Sequence, residues 1–174
     1  MIFRKLWLVN RNQGGFALIE IIAALAIMAL IGIGAATATA QVCTQSTKNN
    51  DYTTASRHTM NAIHWISHDT MMAQTVETNG ASGFLPLILN WVDWDNSTHQ
   101  VTYTLQENGD LKRSYSVDSE EPIETLVAQY INSDTETTNC EFSGGILTIK
   151  LTAIADESAS NVTKTREITP RPRL

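Results

Sequence analysis

Apolar positions in this 174-residue chain form one continuous block near the start, followed by short interrupted runs. Phe16 to Ala36 is apolar apart from Glu20, Gly32 and Gly34. As a helix, those 21 residues would extend about 31 Å, enough to cross a ~30 Å hydrocarbon core. After Ala40 the chain turns polar, but no proline occurs before Pro86. Helix can therefore continue through Gln41–Val76, with a weak stretch at Asn49-Asn50-Asp51. In that continuation Met60, Ile63, Ile66 and Thr70 recur at helical spacing, flanked by Ala62, Trp65, Met71 and Ala73. This pattern predicts a stripe packed against a sheet. Gly32 and Gly34 lower helix propensity in the apolar half and leave local melting there open.

Beyond Thr78 the pattern changes from helical spacing to alternation. The turn-forming run Asn79–Gly83 is followed by a strand over Phe84–Trp91, which Pro86 would place at a sheet edge. His99–Gln106 and Leu111–Val117 read as a hairpin around Asn108-Gly109. A loop of Glu107-Asn108-Gly109, with Gly109 left-handed, sets Leu105 opposite Leu111 and Val101 opposite Tyr115. Further strands are expected at Glu124–Asn132, Gly145–Ala155 and Val162–Ile168, and Pro170 and Pro172 end regular structure. One long helix followed by hairpins predicts an α+β fold with a mainly antiparallel sheet.

Charge sharpens the division. The formal net charge is −6, but residues 1–15 carry Arg4, Lys5 and Arg11 and no acid. Without them 9 basic residues face 18 acidic ones, and such an acidic remainder predicts no nucleic-acid contact, which needs a basic face. Basic residues ahead of the apolar block predict a cytoplasmic N-terminus, a single membrane pass and an exported C-terminal part. The mean hydropathy of −0.13 averages two unlike parts. Cys43 and Cys140 have no C-x-x-C neighbour, which excludes a zinc ribbon or thioredoxin motif. In an exported head they are open either to a disulfide or to two partly buried thiols.

Glu20 is the chemically informative residue. A carboxylate in hydrocarbon costs on the order of a few kcal/mol unless it has a partner or a purpose. No Lys, Arg or His occurs between residues 12 and 47. A cut before Phe16 would create a cation, the new α-amino group, one helical turn from Glu20. At this point the run Gly14-Gly15-Phe16-Ala17-Leu18-Ile19-Glu20-Ile21-Ile22-Ala23-Ala24-Leu25-Ala26-Ile27-Met28 closely resembles the class III signal of type IV prepilins and type II secretion pseudopilins. That resemblance implies a pilin-like fold and removal of leader 1–15 by prepilin peptidase, which reads Gly14, Gly15 and Phe16 and methylates Phe16. It gives Glu20 the role of pairing with the N-terminal amine of a neighbouring subunit. Implied partners are prepilin peptidase, other pilin or pseudopilin subunits, the inner-membrane assembly platform and membrane lipid. The segment Thr59–Gln74 also resembles PilW-like minor pilins and J-type minor pseudopilins, with Asp69 and Ala73 in the matching places and His68 where those relatives usually carry Arg.

Other constellations carry less. His64 and His68 have metal-ligand spacing but lack the H-E-x-x-H arrangement. Asp93-Trp94-Asp95-Asn96 offers oxygen ligands but lacks the Gly and terminal Glu of a calcium loop. Trp91 and Trp94, bracketing a strand, read as core. No nucleophile or phosphate-loop motif occurs, so neither enzyme activity, nor a metal, nor a cofactor is expected. The expected organisation is leader 1–15, membrane or filament-core helix 16–40, head-packed helix 41–77 and β-rich head 78–174. The expected function is a minor pilin or pseudopilin located in a prokaryotic cytoplasmic membrane and then in a pilus or pseudopilus. The alternative is a membrane-anchored ligand-binding module outside any filament.

Overall fold

A computed structural model describes residues 14–78, 86–155 and 161–172. The chain divides into two compact units, Met1–Ser46 and Thr47–Leu174. One helix, α1, runs Gly14–Met72, and eight strands follow: β1 (Thr75–Glu77), β2 (Leu87–Val92), β3 (Thr98–Leu105), β4 (Leu111–Val117), β5 (Ile123–Ala128), β6 (Asn139–Ser143), β7 (Ile146–Ala153) and β8 (Val162–Ile168). All pairing is antiparallel, in a five-stranded sheet β1-β2-β3-β4-β5 and a three-stranded sheet β6-β7-β8. This is an α+β, pilin-like architecture.

In the N-terminal unit α1 is helical through Gly32 and Gly34. Its large apolar side chains, from Leu18 to Ile33, are exposed. Past Ala36 three threonines close their hydroxyls on the helix itself. Thr37 donates to the Ile33 and Gly34 carbonyls (3.1 and 2.9 Å), Thr39 to Ala35 (2.9 Å) and Thr44 to Ala40 (3.0 Å). A hydroxyl satisfied in this way needs no water.

In the C-terminal unit the same helix buries Ala55, Thr59, Ala62, Ile63, Ile66 and Thr70, and Ala73 just past its end is buried too. The stripe is thus shifted from the expected one. Met60, 61% exposed, and Met71 lie outside it, and small residues take their places. Ala55 and Ala62 let the helix backbone approach the sheet, whose inward face is Leu87, Leu89, Trp91, Val101, Tyr103 and Leu111. The helix stops at Met72 rather than Val76. Thr75 and Val76 are β-branched and pair with Asn90 and Leu89 as β1. That short strand covers β2, so Pro86 precedes a strand paired on both sides rather than marking an edge. Phe84, the expected start of this strand, lies outside the described residues.

The β3–β4 hairpin has the expected register, Leu105↔Leu111 and Val101↔Tyr115, with Gly109 at φ 84°. The β5 segment is shorter than the expected Glu124–Asn132. It is followed by a crossing segment that joins the two sheets. Ile131 donates to the Gly109 carbonyl (3.0 Å), Asn132 to Thr152 (2.8 Å) and Ile154 to Tyr130 (2.8 Å). Two sheets therefore stand where a single one was expected. The strand that sequence reading omitted, β6, turns into β7 through Gly144 and Gly145 at φ 59° and 81°. Two successive left-handed residues make the two-residue turn that suits a twisted hairpin.

Candidate functional site

The residues of the expected processing site open α1. Gly14, Gly15 and Phe16 lie in its first turn, and Glu20 follows one turn later with its side chain exposed. Around Glu20 the large apolar neighbours Leu18, Ile19, Ile21 and Ile22 are exposed too. Burying each such side chain is worth roughly 1.5–3 kcal/mol, so this surface calls for an apolar medium or apolar partners. The helix is long and apolar enough to cross a membrane. A carboxylate on such a surface is attracted strongly to any cation held close to it, because the low dielectric screens little.

A second cluster lies in the C-terminal unit. Asp69 is 2% exposed, yet its carboxylate is fully served. Arg113 grips it as a fork, Nε to Oδ2 at 2.7 Å and Nη2 to Oδ1 at 3.2 Å, and the Tyr103 hydroxyl donates to Oδ2 at 2.5 Å. His68 Nδ1 stands off at 3.5 Å from Oδ1. The sheet register brings these groups together, since Tyr103 and Arg113 are cross-strand partners on the helix-facing side. Burial, then the Asp69 charge, holds the Tyr103 phenol far above its ordinary value of 10.0. Burial pulls the Arg113 guanidinium down, but the Asp69 hydrogen bond and charge outweigh it and raise it on balance. This is an ion pair that ties helix to sheet.

Arg113 also borders an aromatic cluster. Its guanidinium lies 5.2 Å from the Trp65 ring and 5.0 Å from Tyr115, and the near-parallel rings of Trp91, His99 and Tyr115 form a triangle with centroids 5.1, 5.9 and 6.3 Å apart. The Ser97 hydroxyl donates to Asp95 Oδ1 (2.5 Å), so it accepts from His99 Nε2 (3.0 Å), and His99 Nδ1 shares a hydrogen bond of 2.8 Å with the Tyr115 hydroxyl. The Ser97 hydroxyl and then its amide hold Asp95 below the ordinary carboxylate range. Asp93 Oδ1 accepts from the Trp94 amide (3.0 Å). Both carboxylates of the Asp93-Trp94-Asp95-Asn96 run thus organise their own loop. Trp91 is core, but Trp94 at the loop tip is 92% exposed, contrary to expectation. The difference is one of position, because Trp94 lies past the end of β2 where alternation no longer applies.

His64 and His68 are both exposed on α1, and no group of three His, Cys, Asp or Glu among the described residues could hold a metal ion. Cys43 is an exposed thiol in the N-terminal unit, and Cys140 a buried one on β6. The residues missed from sequence were Tyr103 and Arg113 as the partners of Asp69. The signal was available. Leu111, Arg113, Tyr115 and Val117 alternate, which sends Arg113 to the apolar face where a buried acid must be waiting.

Residues 10–36 match the family model for the prokaryotic N-terminal methylation motif, a type IV pilin-like signal. The match supports a type IV pilin-like or pseudopilin precursor, the kind that prepilin peptidase processes and that assembles with other pilin subunits. With the long apolar helix it also supports membrane anchoring. No curated protein and no solved structure matches the chain.

Proposed function

We propose that the chain is a minor pilin or minor pseudopilin, a structural subunit without catalysis of its own. The carrying observation is the methylation motif over residues 10–36, set on a helix whose apolar surface its own chain leaves uncovered. In this reading prepilin peptidase cuts between Gly15 and Phe16 at the cytoplasmic face of the membrane and methylates Phe16. Loss of Arg4, Lys5 and Arg11 releases the charge that pinned the helix, which then passes from lipid into a bundle of like helices with help from the assembly platform. Glu20 pairs with the amine of a neighbouring Phe16, an attraction that the low dielectric strengthens. The Asp69–Arg113 pair fits the PilW-like or J-type subgroup, because it gives a physical reason for an acid at the end of the head-packed helix.

Intact-mass and N-terminal analysis of the chain expressed with and without a prepilin peptidase tests the reading. A mature chain beginning at methylated Phe16, seen only with the peptidase, is the expected result. An uncut chain, or a cut near Ala38, would leave a membrane-anchored binding module in its place.

A further inference from the structure

The two faces of the five-stranded sheet treat their polar side chains differently. On the helix side Tyr103, Arg113, His99 and Tyr115 are all hydrogen-bonded to protein partners. On the opposite face a groove of about 350 Å³ crosses β2, β3 and β4. Its floor is Asn90, Gln100, Thr102, Ser114 and Ser116, and Glu120 stands in its wall. The register aligns them, with Asn90 beside Gln100, Gln100 beside Ser116, and Thr102 beside Ser114. No side chain of these six residues hydrogen-bonds to another described residue. These side chains are half-exposed or exposed, so the groove presents a dense set of donors and acceptors open to a ligand.

The wall is built rather than loose. Asp118 and Ser119 hold left-handed backbone at φ 48° and 67°, a conformation that is rare and costly outside glycine. The turn is fixed by the Thr98 amide donating to the Asp118 carboxylate (2.7 Å), by the Asp118 amide donating to the Thr98 carbonyl (2.8 Å), and by the Glu120 amide donating to Val117 (2.8 Å). Backbone strain held in place beside a concave surface is characteristic of binding sites.

We propose that this groove binds an uncharged saccharide. Hydroxyls and primary amides both donate and accept, which matches a polyol whose hydroxyls do the same. The lining has one carboxylate and no cation, so anionic sugars and phosphates are disfavoured. Lys112, nearby on the same face, is already paired with Glu124 at 3.5 Å. The lining has no large apolar pocket for peptide side chains, and the site lies on a sheet face, away from any edge to which a peptide could add as a strand. The volume falls at the small end of ordinary ligand sites, the scale of one or two sugar rings.

The test uses the full mature chain in a sugar-free detergent, titrated with cellotetraose, maltotetraose and tetra-N-acetylchitotetraose while backbone amide shifts are followed. Saturable shifts centred on β3 and β4 with at least one sugar are expected. Thr102→Val, which keeps shape and removes one hydroxyl, should raise that dissociation constant about fivefold, the worth of one hydrogen bond. Gln100→Ala should do at least as much, and Thr104→Val, on the same face but outside the groove, should change nothing. A uronic-acid tetramer should bind more weakly than the neutral sugar. The proposal is overturned if no sugar saturates, if Thr102→Val and Gln100→Ala leave binding unchanged, or if the uronic-acid tetramer or a Ser/Thr peptide binds the same amides more tightly.

Discussion

Asp69 shows how much a single position can reveal and conceal. An acid at the end of an apolar helical stripe is visible in the sequence, but its neutraliser lies 44 residues away and only sheet register brings it near. Removing one member of a buried ion pair strands the other, so Asp69→Ala should cost roughly 3–5 kcal/mol, read as a fall in urea midpoint with native-like helix content retained. Tyr103 adds a pH dependence. Its raised phenol value means the folded state keeps the proton that the unfolded chain loses near pH 10.0. Stability from this group is therefore full below pH 10.0 and declines above it. In urea titrations from pH 9 to 11, wild type should lose up to ~1.4 kcal/mol per pH unit relative to Tyr103→Phe, and below pH 9 the gap between them should be constant. A gap that stays constant to pH 11 would show the phenol titrating alike in both states.

Secondary elements were legible where a turn residue and an alternating face agreed. In the β3–β4 hairpin Asn108-Gly109 set the loop and Val101, Tyr103 and Leu105 the face, and the register followed. The helix end and β6 were illegible for the opposite reason. Thr75-Val76 continued a helical pattern whose termination depends on pairing with Leu89 and Asn90. Residues 139–143 bury only Cys140, with Glu141, Phe142 and Ser143 exposed, so one inward side chain left no alternation to read. Gly144-Gly145 was the remaining clue. Gly109 has a second duty that no periodicity shows. A Cβ there would lie 3.0 Å from the Ile131 carbonyl oxygen, at the segment that joins the two sheets. Gly109→Ala combines that clash with a left-handed backbone and should destabilise by more than ~1 kcal/mol, with amide exchange accelerating at Ile131 and Asn132 in particular. A change of a few tenths would mean that the joint can yield.

For the molecule as a whole, the division between apolar helix and β-rich remainder was plain in the sequence, because a 21-residue apolar run outweighs local ambiguity. The division of the strands into two sheets was not, since the segment between them is held by three backbone hydrogen bonds that leave no compositional trace. Anchoring is tested through the same run. Leu25→Arg should carry a penalty of roughly 2.5–3.5 kcal/mol for membrane insertion and drive the chain out of the membrane pellet, whereas Thr37→Val with Thr39→Val should leave membrane retention as it was. The second expectation rests on hydroxyls that already face their own carbonyls, and it bears on hydrophobic mismatch. With Thr37 and Thr39 internally satisfied, the stretch that tolerates lipid is not cut off at Ala36 but extends by four residues to Ala40, about 6 Å of further helix. A span with such a soft margin can seat in bilayers of different thickness without tilting or thinning them, each ångström of mismatch otherwise costing a fraction of a kcal/mol.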